Sequence, residues 1–257
     1  MAIAPEDGFD APWYRPIISI SVILSIVLSV LLLSILIEKQ QHKNLLQEML
    51  PAKALNSLQK SGIFVQEFPV VTIFFSDIVG FTSMSAEMRP IQVMKMLNSF
   101  YTEADKLAIK NKVYKIKTIG DAYMCVGGCP DKCSAVEGAE RIALFALDMI
   151  ELARRFRTDD GLEISIRAGI HSDAVVAGVI EKKRPQYTLF GDAVNMASFM
   201  EATSEKMKIQ CSHVTAHLLK TAPNRHKFTL IEKGVVELTE QARFTTYFID
   251  RSTECIE

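Results

Sequence analysis

Two carboxylates stand where a chain could hold a metal ligand rigidly. Asp77 follows the mostly apolar run 71–75 and is followed by Gly80, and Asp121 follows Gly120 between two alternating apolar segments. The first pattern is typical of a buried strand that ends at solvent, and the second of a β-hairpin tip. Two carboxylates on strand tips can hold Mg²⁺ against a nucleoside triphosphate, because Mg²⁺ binds a few carboxylates together with substrate phosphates.

The elements that must position these side chains alternate between strands and helices. Amphipathic periodicity predicts two long helices, at 90–109 and 135–156. We expect the remaining elements to be strands at 70–76, 112–118, 122–127, 163–171, 174–180, 187–190 and 208–212, helices at 192–203 and 213–221, and a hairpin near 227–249. Strand pairs interleaved with helices favour an α+β fold over a doubly wound parallel sheet.

An uncharged segment precedes this domain. Residues 17–37 are mostly Ile, Leu and Val, and as a helix they would span about 31 Å, the thickness of a bilayer core. The segment is too long for a cleaved signal peptide and lacks a basic start. Arg15 precedes it, whereas more basic residues follow it, at Lys39, Lys43, Lys53 and Lys60. This asymmetry predicts a membrane helix with its carboxyl side in the cytoplasm.

Ser21, Ser25 and Ser29 recur every four residues within the apolar segment. Small residues at this spacing let membrane helices approach closely, which would favour pairing of two chains. The alternative is that serine is simply tolerated in a membrane helix. The sequence leaves both interpretations open.

The charge and the cysteine content narrow the classes of function that are open to this chain. Lys and Arg number 29 against 30 Asp and Glu, and they are dispersed, so the chain lacks the basic patch of a nucleic-acid-binding protein. The five cysteines, at positions 125, 129, 133, 211 and 255, are expected to be reduced in the cytosol. Cys129 and Cys133 form a CxxxC pair without a matching Cys or His pair, which favours a loop over a metal or redox site.

A third motif points to a family. Residues 187–198 read Tyr-Thr-Leu-Phe-Gly-Asp-Ala-Val-Asn-Met-Ala-Ser, after the two Asp motifs. Over about residues 45–250 the chain resembles the class III adenylate and guanylate cyclases, and it is most like the catalytic domain of membrane guanylate cyclases. The resemblance implies a ferredoxin-like α+β nucleotide cyclase domain that works as a head-to-tail dimer with active sites at the interface.

The resemblance also implies roles for the acidic residues. Asp77 and Asp121 match the pair that binds two Mg²⁺ or Mn²⁺ ions, with the Ile78 carbonyl as a further ligand. One ion would activate the ribose 3′-hydroxyl for in-line attack on the α-phosphorus, and the other would neutralise the phosphates and help pyrophosphate leave.

Three polar residues match positions that bind the rest of the nucleotide. Arg167 matches a phosphate-binding arginine on the same subunit as the metal site. The other subunit is implied to supply Asn195, which orients the ribose, and Lys208, which meets the terminal phosphates. The alternatives are a solvated surface charge for Arg167 and Lys208, and a helix-start residue for Asn195.

The chain departs from guanylate cyclases where the purine is bound. Lys117 stands where guanylate cyclases carry Glu, and Thr188 stands where they carry Cys. A carboxylate accepts from guanine N1–H, whereas Lys can only donate, as to adenine N1. Hydrogen-bond chemistry therefore favours ATP, although the whole sequence is more like that of guanylate cyclases.

A second departure is Phe199, at the position of an arginine that stabilises charge on the α-phosphate. Loss of one such donor typically costs about 10²–10³ in rate. A homodimer would be slow unless another residue replaces the arginine. Alternatively, the chain is a weakened regulatory subunit of a heterodimer whose partner supplies the arginine.

These expectations define the predicted organisation. We expect an extracytoplasmic tail at 1–15, a transmembrane helix at 16–38, a signalling or linker helix at 39–66, the cyclase domain at 67–250 and a tail at 251–257. The predicted protein is a membrane-anchored lyase that converts ATP or GTP into a 3′,5′-cyclic nucleotide and pyrophosphate, as a homodimer or heterodimer.

Overall fold

The computed structural model describes residues 14–61, 63–158, 161–180, 185–239 and 242–252. The chain divides into two compact units, Met1–Leu55 and Asn56–Glu257. In the first unit, helix α1 spans Tyr14–Met49. Its part Pro16–Gln41 is long and apolar enough to cross a membrane, with a mean hydropathy of 3.0 and no burial. The apolar composition of this helix matches the predicted segment.

Pro51 separates α1 from the next helix, α2, which spans Ala52–Ser61. Proline lacks a backbone N–H and cannot continue the hydrogen-bond ladder of a preceding helix. Its carbonyl accepts a hydrogen bond from the Leu55 N–H at 3.0 Å. The linker helix expected at 39–66 is therefore divided at Pro51.

The second unit alternates strands and helices. In chain order its elements are β1 (Phe64–Ile78), α3 (Phe81–Glu87), α4 (Pro90–Lys110), β2 (Tyr114–Ile119), β3 (Ala122–Gly127), α5 (Ala135–Arg155), β4 (Ile166–Ile180), β5 (Gln186–Phe190), α6 (Asp192–Ala202), β6 (Ile209–Ser212), α7 (His213–Lys220), a 3₁₀ turn (Arg225–Lys227), β7 (Phe228–Thr239) and β8 (Ala242–Arg251).

One mixed sheet unites the strands, in the order β2-β3-β1-β4-β6-β8-β7, with β5 paired to the second half of β4. Strand β1 runs antiparallel to both β3 and β4, whereas β4 and β6 are parallel. The long β1–β4 pair is therefore the centre of the sheet. This arrangement confirms the predicted α+β class.

Helices cover the sheet on both faces. Alternate side chains of a strand point to opposite faces. On one face Phe74 meets Phe145 of α5 edge to face, with ring centroids 5.1 Å apart, within a core that also includes Ile166 and Ile170. On the other face α6 lies against Gly169, a residue of β4 that alternates with the core residues Ile166 and Ile170 and therefore belongs to the opposite face. Asp77 and Arg167 belong to this second face.

Residues 163–180 differ from the prediction of two strands at 163–171 and 174–180. Residues 166–180 form the single strand β4, because Ser172 and Asp173 pair with Thr72 and Val71 of β1 instead of turning. The Ser172 hydroxyl is fully buried and lies 2.9 Å from the Thr72 hydroxyl and 2.9 Å from that of Thr215. Polar residues that look like a turn in the sequence are thus satisfied inside the sheet.

Candidate active site

The two predicted carboxylates come together at one end of the sheet. Asp77 is the penultimate residue of β1, and Asp121 follows Gly120 in the turn between β2 and β3. Gly120 has a φ of 63°, a left-handed conformation that favours glycine and lets the hairpin turn tightly. Because Ser76 pairs with Tyr123 across β1 and β3, the turn brings Asp121 beside Asp77.

The electrostatics of this pair reflect its closeness. Burial raises the pKa of Asp121 to about 6, and a hydrogen bond with Asp77 and repulsion by its charge act in the same direction. Hydrogen bonds from the backbone of Asp121 and of Ile78 offset part of the shift. Two carboxylates that resist joint ionisation are stabilised by a cation placed between them.

Arg167 faces Asp77 across the β1–β4 pair. Its Nη2 donates to Asp77 Oδ2 at 3.0 Å, and its Nε donates to Glu201 Oε1 at 2.6 Å. Burial works against the charge of Arg167, but Glu201 and then Asp77 outweigh it, so that its pKa is raised. Burial raises the pKa of Glu201 despite the attraction of Arg167.

Tyr101 of α4 adds an unused donor. Among the described residues, its hydroxyl is the one buried side-chain polar atom without a hydrogen-bond partner. Its ring lies 5.6 Å from that of Tyr123, whose strand neighbours the Asp77 strand end. Burial raises the pKa of Tyr101, and the charges of Asp121 and Asp77 contribute, so the hydroxyl stays protonated near these carboxylates.

This set of donors fits a divalent cation. Asp77 and Asp121 offer hard oxygen ligands, which Mg²⁺ and Mn²⁺ prefer. Within the described ranges there is no group of three or more His, Cys, Asp and Glu residues that could enclose a metal. A two-carboxylate site is typical of a metal that completes its coordination with substrate oxygens.

Helix α6 carries the predicted ribose and transition-state positions. Asn195 is exposed and Phe199 is half-buried. They are four residues apart and therefore lie on one side of the helix. Buried residues line the other side, at Ala193, Ala197, Met200 and Glu201. Asn195 and Phe199 are thus not part of the Asp77–Arg167 cluster of their own chain.

Lys208 lies next to the strand that carries Arg167. The Ala168 N–H donates to its carbonyl at 3.1 Å. Its ammonium pairs with Asp250 at 3.3 Å and lies 5.9 Å from the centre of the Phe248 ring. The side chain is 40% exposed, so a ligand phosphate could compete with Asp250 for it.

The two predicted purine residues lie on neighbouring parts of the second unit. Lys117 of β2 is exposed at a bulge in its pairing with β3, and Thr188 of β5 is half-buried opposite Gly178. Their strands approach each other where the rings of Tyr114 and Tyr187 meet edge to face, 5.6 Å apart. The fold therefore brings the Lys117 and Thr188 strands together.

Family membership follows from the sequence profile described as "Adenylate and Guanylate cyclase catalytic domain", which matches residues 63–251. The chain belongs to this cyclase family. The predicted cyclase fold is thereby confirmed, and the chain contains the catalytic domain of a family of phosphorus–oxygen lyases, as predicted. Cyclase domains of this family generally use divalent metal ions.

Curated cyclases are similar over most of this chain. The rat (Rattus norvegicus) guanylate cyclase soluble subunit beta-2 is 40% identical over 223 residues, which are 86% of this chain and 32% of the relative. The membrane guanylyl cyclase of Dictyostelium discoideum is 41% identical over 217 residues, 84% of this chain and 14% of the relative. The chain therefore spans a third or less of the length of these relatives.

Solved cyclase structures share the fold. The guanylate cyclase domain of RhGC from Catenaria anguillulae, in complex with GTP, matches with a TM-score of 0.68 at 37% identity, over 73% of this chain and 99% of that one. The catalytic core of a rhodopsin-guanylyl cyclase with converted specificity, in complex with ATPalphaS, matches with a TM-score of 0.68 at 38% identity, over 73% and 98%.

Two residues close to the Asp77, Asp121 and Arg167 side chains escaped the sequence analysis. Glu201 could have been noticed as a carboxylate on the apolar side of α6, four residues after Ala197. Tyr101 gave no such signal, because a tyrosine on an amphipathic helix usually packs in the core.

The four cysteines that the structure describes, Cys125, Cys129, Cys133 and Cys211, are all free thiols, whereas Cys255 lies outside the described residues.

Proposed function

We propose that this chain is a membrane-anchored nucleotide cyclase that converts a nucleoside triphosphate into a 3′,5′-cyclic nucleotide and pyrophosphate. The observation that carries this proposal is the meeting of Asp77, Asp121 and Arg167 at one strand end. Two carboxylates for cations and a guanidinium for phosphates are the groups that phosphoryl chemistry requires. Membership of the cyclase family supports the choice of reaction.

The residues of the chain would divide the work by their chemistry. Asp77 and Asp121, with the Ile78 carbonyl, would hold two Mg²⁺ or Mn²⁺ ions, which supply Lewis-acid activation of the 3′-hydroxyl and neutralise phosphate charge. Arg167 would contact the phosphates from the same chain. The new bond joins the 3′-oxygen to the α-phosphorus, the bond from that phosphorus to the pyrophosphate oxygen breaks, and the proton of the 3′-hydroxyl passes to solvent.

A second chain would complete each site. Asn195 would orient the ribose and Lys208 would meet the terminal phosphates, both across a head-to-tail dimer interface. The exposed position of Asn195, away from the Asp77–Arg167 cluster of its own chain, supports this assignment. A solved cyclase domain from Blastocladiella emersonii, 39% identical, is described as a non-canonical dimer.

We propose ATP as the preferred substrate. The Lys117 ammonium can donate to adenine N1 but cannot accept from guanine N1–H, and the Thr188 hydroxyl can donate or accept. A mismatched purine would leave polar groups unpaired, which lowers catalytic efficiency by a large factor. The named relatives are mostly guanylate cyclases, yet one solved guanylyl cyclase core of converted specificity holds ATPalphaS, so the fold admits either purine.

The proposed organisation places α1 in a membrane. Residues 1–15 would lie outside the cytoplasm, 16–38 would span the bilayer, 39–66 would link the span to the cyclase domain at 67–250, and 251–257 would form a tail. The apolar stretch Pro16–Gln41 and the lysines that follow it support this orientation. Ser21 Oγ donates to its own helix at Ile18, so its hydroxyl is compatible with lipid.

Turnover of the full chain tests the proposal. The chain in lipid nanodiscs, supplied with Mn²⁺ and with ATP or GTP, should release cyclic nucleotide and pyrophosphate in equal amounts. Asp77→Asn should abolish the product, because it removes a charged metal ligand. The matched control is Asp173→Asn, an exposed carboxylate on β4 outside the site, which should retain turnover. A well-folded wild-type dimer that yields no product from either nucleotide would contradict an active homodimer.

Phe199 supports a second candidate function, that of a weakened regulatory subunit in a heterodimer. The aromatic side chain cannot donate a hydrogen bond to the α-phosphate. A partner cyclase with an arginine at the matching position would restore one of the two sites, in which this chain supplies Asp77 and Asp121. Co-reconstitution with such a partner should then raise turnover well above the sum of the separate chains, and Asp77→Asn in this chain should remove the gain.

A further inference from the structure

We infer that Glu201 is a positioning residue that holds Arg167 in register for the triphosphate, an inference that rests on the proposed function. Arg167 is shared between two carboxylates, with Nε on Glu201 at 2.6 Å and Nη2 on Asp77 at 3.0 Å. Of these two carboxylates, only Asp77 is a proposed metal ligand. Glu201 is therefore the partner that can keep Arg167 in place when Asp77 serves a cation.

The fold places Glu201 at this position by a close approach of backbones. A Cβ on Gly169 would lie 1.9 Å from the Glu201 backbone nitrogen, so only glycine lets α6 come this near to β4. The neighbours of Glu201 on the inner side of α6 are apolar, and its side chain is 11% exposed. A carboxylate buried in this way requires a charged partner, and Arg167 supplies it.

The geometry separates two tasks within one guanidinium. Glu201 binds the Nε edge, which fixes the plane of the group because the fork of an arginine is rigid. The Nη2 donor, bound to Asp77, lies at the carboxylate end of the site. When Asp77 is engaged by a cation, the Nη donors are freed to bind phosphate oxygens without loss of the Glu201 contact. Arg167 would then exchange only one partner.

Without Glu201, the guanidinium would have Asp77 as its one anionic partner in this cluster. It would be drawn towards the metal ligands and would lose its fixed plane. We therefore expect both the cation and the triphosphate to bind less tightly in Glu201→Gln, which keeps the shape of the side chain but removes its charge. Loss of a group that holds a ligand-binding side chain in place typically costs about 10–100-fold in metal affinity or activity.

Binding and turnover of the full chain in nanodiscs test the inference. Titration calorimetry would measure Mn²⁺ together with 2′,3′-dideoxy-ATP or 2′,3′-dideoxy-GTP, which lack the attacking hydroxyl. We expect Glu201→Gln to weaken triphosphate binding about 10-fold or more and to raise KM more than it lowers kcat. In an Arg167→Ala background the same substitution should have no further effect, because its target is absent.

The matched control is Asp148→Asn. Asp148 is also a largely buried carboxylate, 16% exposed, and it pairs with Lys110 and Arg251 of the same unit, away from the cluster. Its loss should lower the melting temperature without weakening triphosphate binding. Arg167→Lys is a second variant: one ammonium cannot satisfy both carboxylates, so it should weaken binding about as much as Glu201→Gln even with Glu201 intact.

The outcomes separate the two proposals. If the wild-type chain binds neither triphosphate, the proposed function fails and the role of Glu201 fails with it. If the wild type binds and turns over nucleotide while Glu201→Gln or Arg167→Lys matches it, only the role of Glu201 is overturned. Additive losses in the double variant would also overturn it, since they would show that Glu201 acts independently of Arg167.

Discussion

The carboxyl groups of Asp77, at the end of β1, and of Asp121, in the turn between β2 and β3, lie close enough to interact, and burial together with the charge of Asp77 raises the pKa of Asp121. Mutual repulsion and burial make this arrangement unfavourable for two ionised groups. The end of the central strand pair thus carries a repulsion between carboxylates that a bound divalent cation would relieve. Negatively charged groups held this close together are frequent in catalytic sites.

Asp121→Asn should stabilise the metal-free protein at pH 8 while abolishing metal-dependent turnover. The raised pKa of Asp121, about 6 in the folded protein, means that the folded state binds more protons than the unfolded state between about pH 4 and 6. Its stabilising contribution is therefore present below the unfolded pKa and is lost as the pH rises through about 6. With allowance for solvent screening, the gain at pH 8 is about 1 kcal/mol. Chemical denaturation at pH 5 and pH 8 would measure it.

For Asp121→Asn, the difference from wild type should be smaller at pH 5 than at pH 8. A variant that is less stable than wild type at pH 8 in the absence of metal would contradict the repulsion. Excess Mn²⁺ should reverse the order of stability, because only the wild type binds it through both carboxylates.

Phe199→Arg should raise turnover of the homodimer by about 10²–10³, because it restores a donor to charge that develops in the transition state. The half-buried position of Phe199 suits arginine, whose stem is apolar and whose head can reach solvent. The measurement is kcat with the better of the two nucleotides. Phe199→Leu, which removes the ring without adding a donor, is the control and should stay as slow as wild type.

An unchanged kcat in Phe199→Arg, with intact folding, would falsify the view that the missing arginine limits the homodimer. It would favour the regulatory-subunit alternative if mixing with an arginine-bearing partner then gave an active pair.

Lys117→Glu combined with Thr188→Cys should shift purine preference from ATP towards GTP. A glutamate accepts from guanine N1–H and the exocyclic amino group, whereas the wild-type lysine cannot. The ratio of kcat/KM for the two nucleotides is the quantity to compare. Lys115→Glu is a useful control on the same strand, because Lys115 pairs with Asp105 at 2.7 Å instead. Selectivity that stays the same in the double variant would refute the assignment of these two positions.

Gly169→Ala should destabilise the second unit by about 1–3 kcal/mol, as overpacking of a tight site does. The added methyl group would meet the backbone of α6 at Glu201, which cannot rotate away as a side chain could. Thermal unfolding would measure the loss. Gly138→Ala is the milder comparison, since its Cβ would lie 3.2 Å from the Gly127 carbonyl oxygen. Equal effects of the two substitutions would speak against an unusually close contact at Gly169.

Local patterns were sufficient to predict the carboxylate end of the site. Asp77 and Asp121 each follow a recognisable strand or turn signal, and glycine at position 120 adopts the left-handed conformation that a tight hairpin favours. The end of a strand and the turn of a hairpin each fix the position of one aspartate, so local sequence patterns are enough to predict where Asp77 and Asp121 lie along their elements.

Long-range contacts explain what the sequence did not reveal. Ser172 and Asp173 have the composition of a turn, yet hydroxyl partners a hundred residues away at Thr72 keep β4 continuous. Glu201 acquires its meaning only when α6 folds back on Arg167, 34 positions earlier in the chain. Neither of these two contacts produces a periodic pattern in the sequence from which it could be predicted.

The contact of α6 with Gly169 has a mechanical consequence. With no side chain between the two backbones, the helix cannot slide or roll against β4 without a clash, so the outer residues Asn195 and Phe199 move as one piece with the strand that bears Arg167. A stimulus that alters turnover would then have to reorient one whole cyclase domain against the other in the proposed dimer. Helix α6 could not move separately from β4.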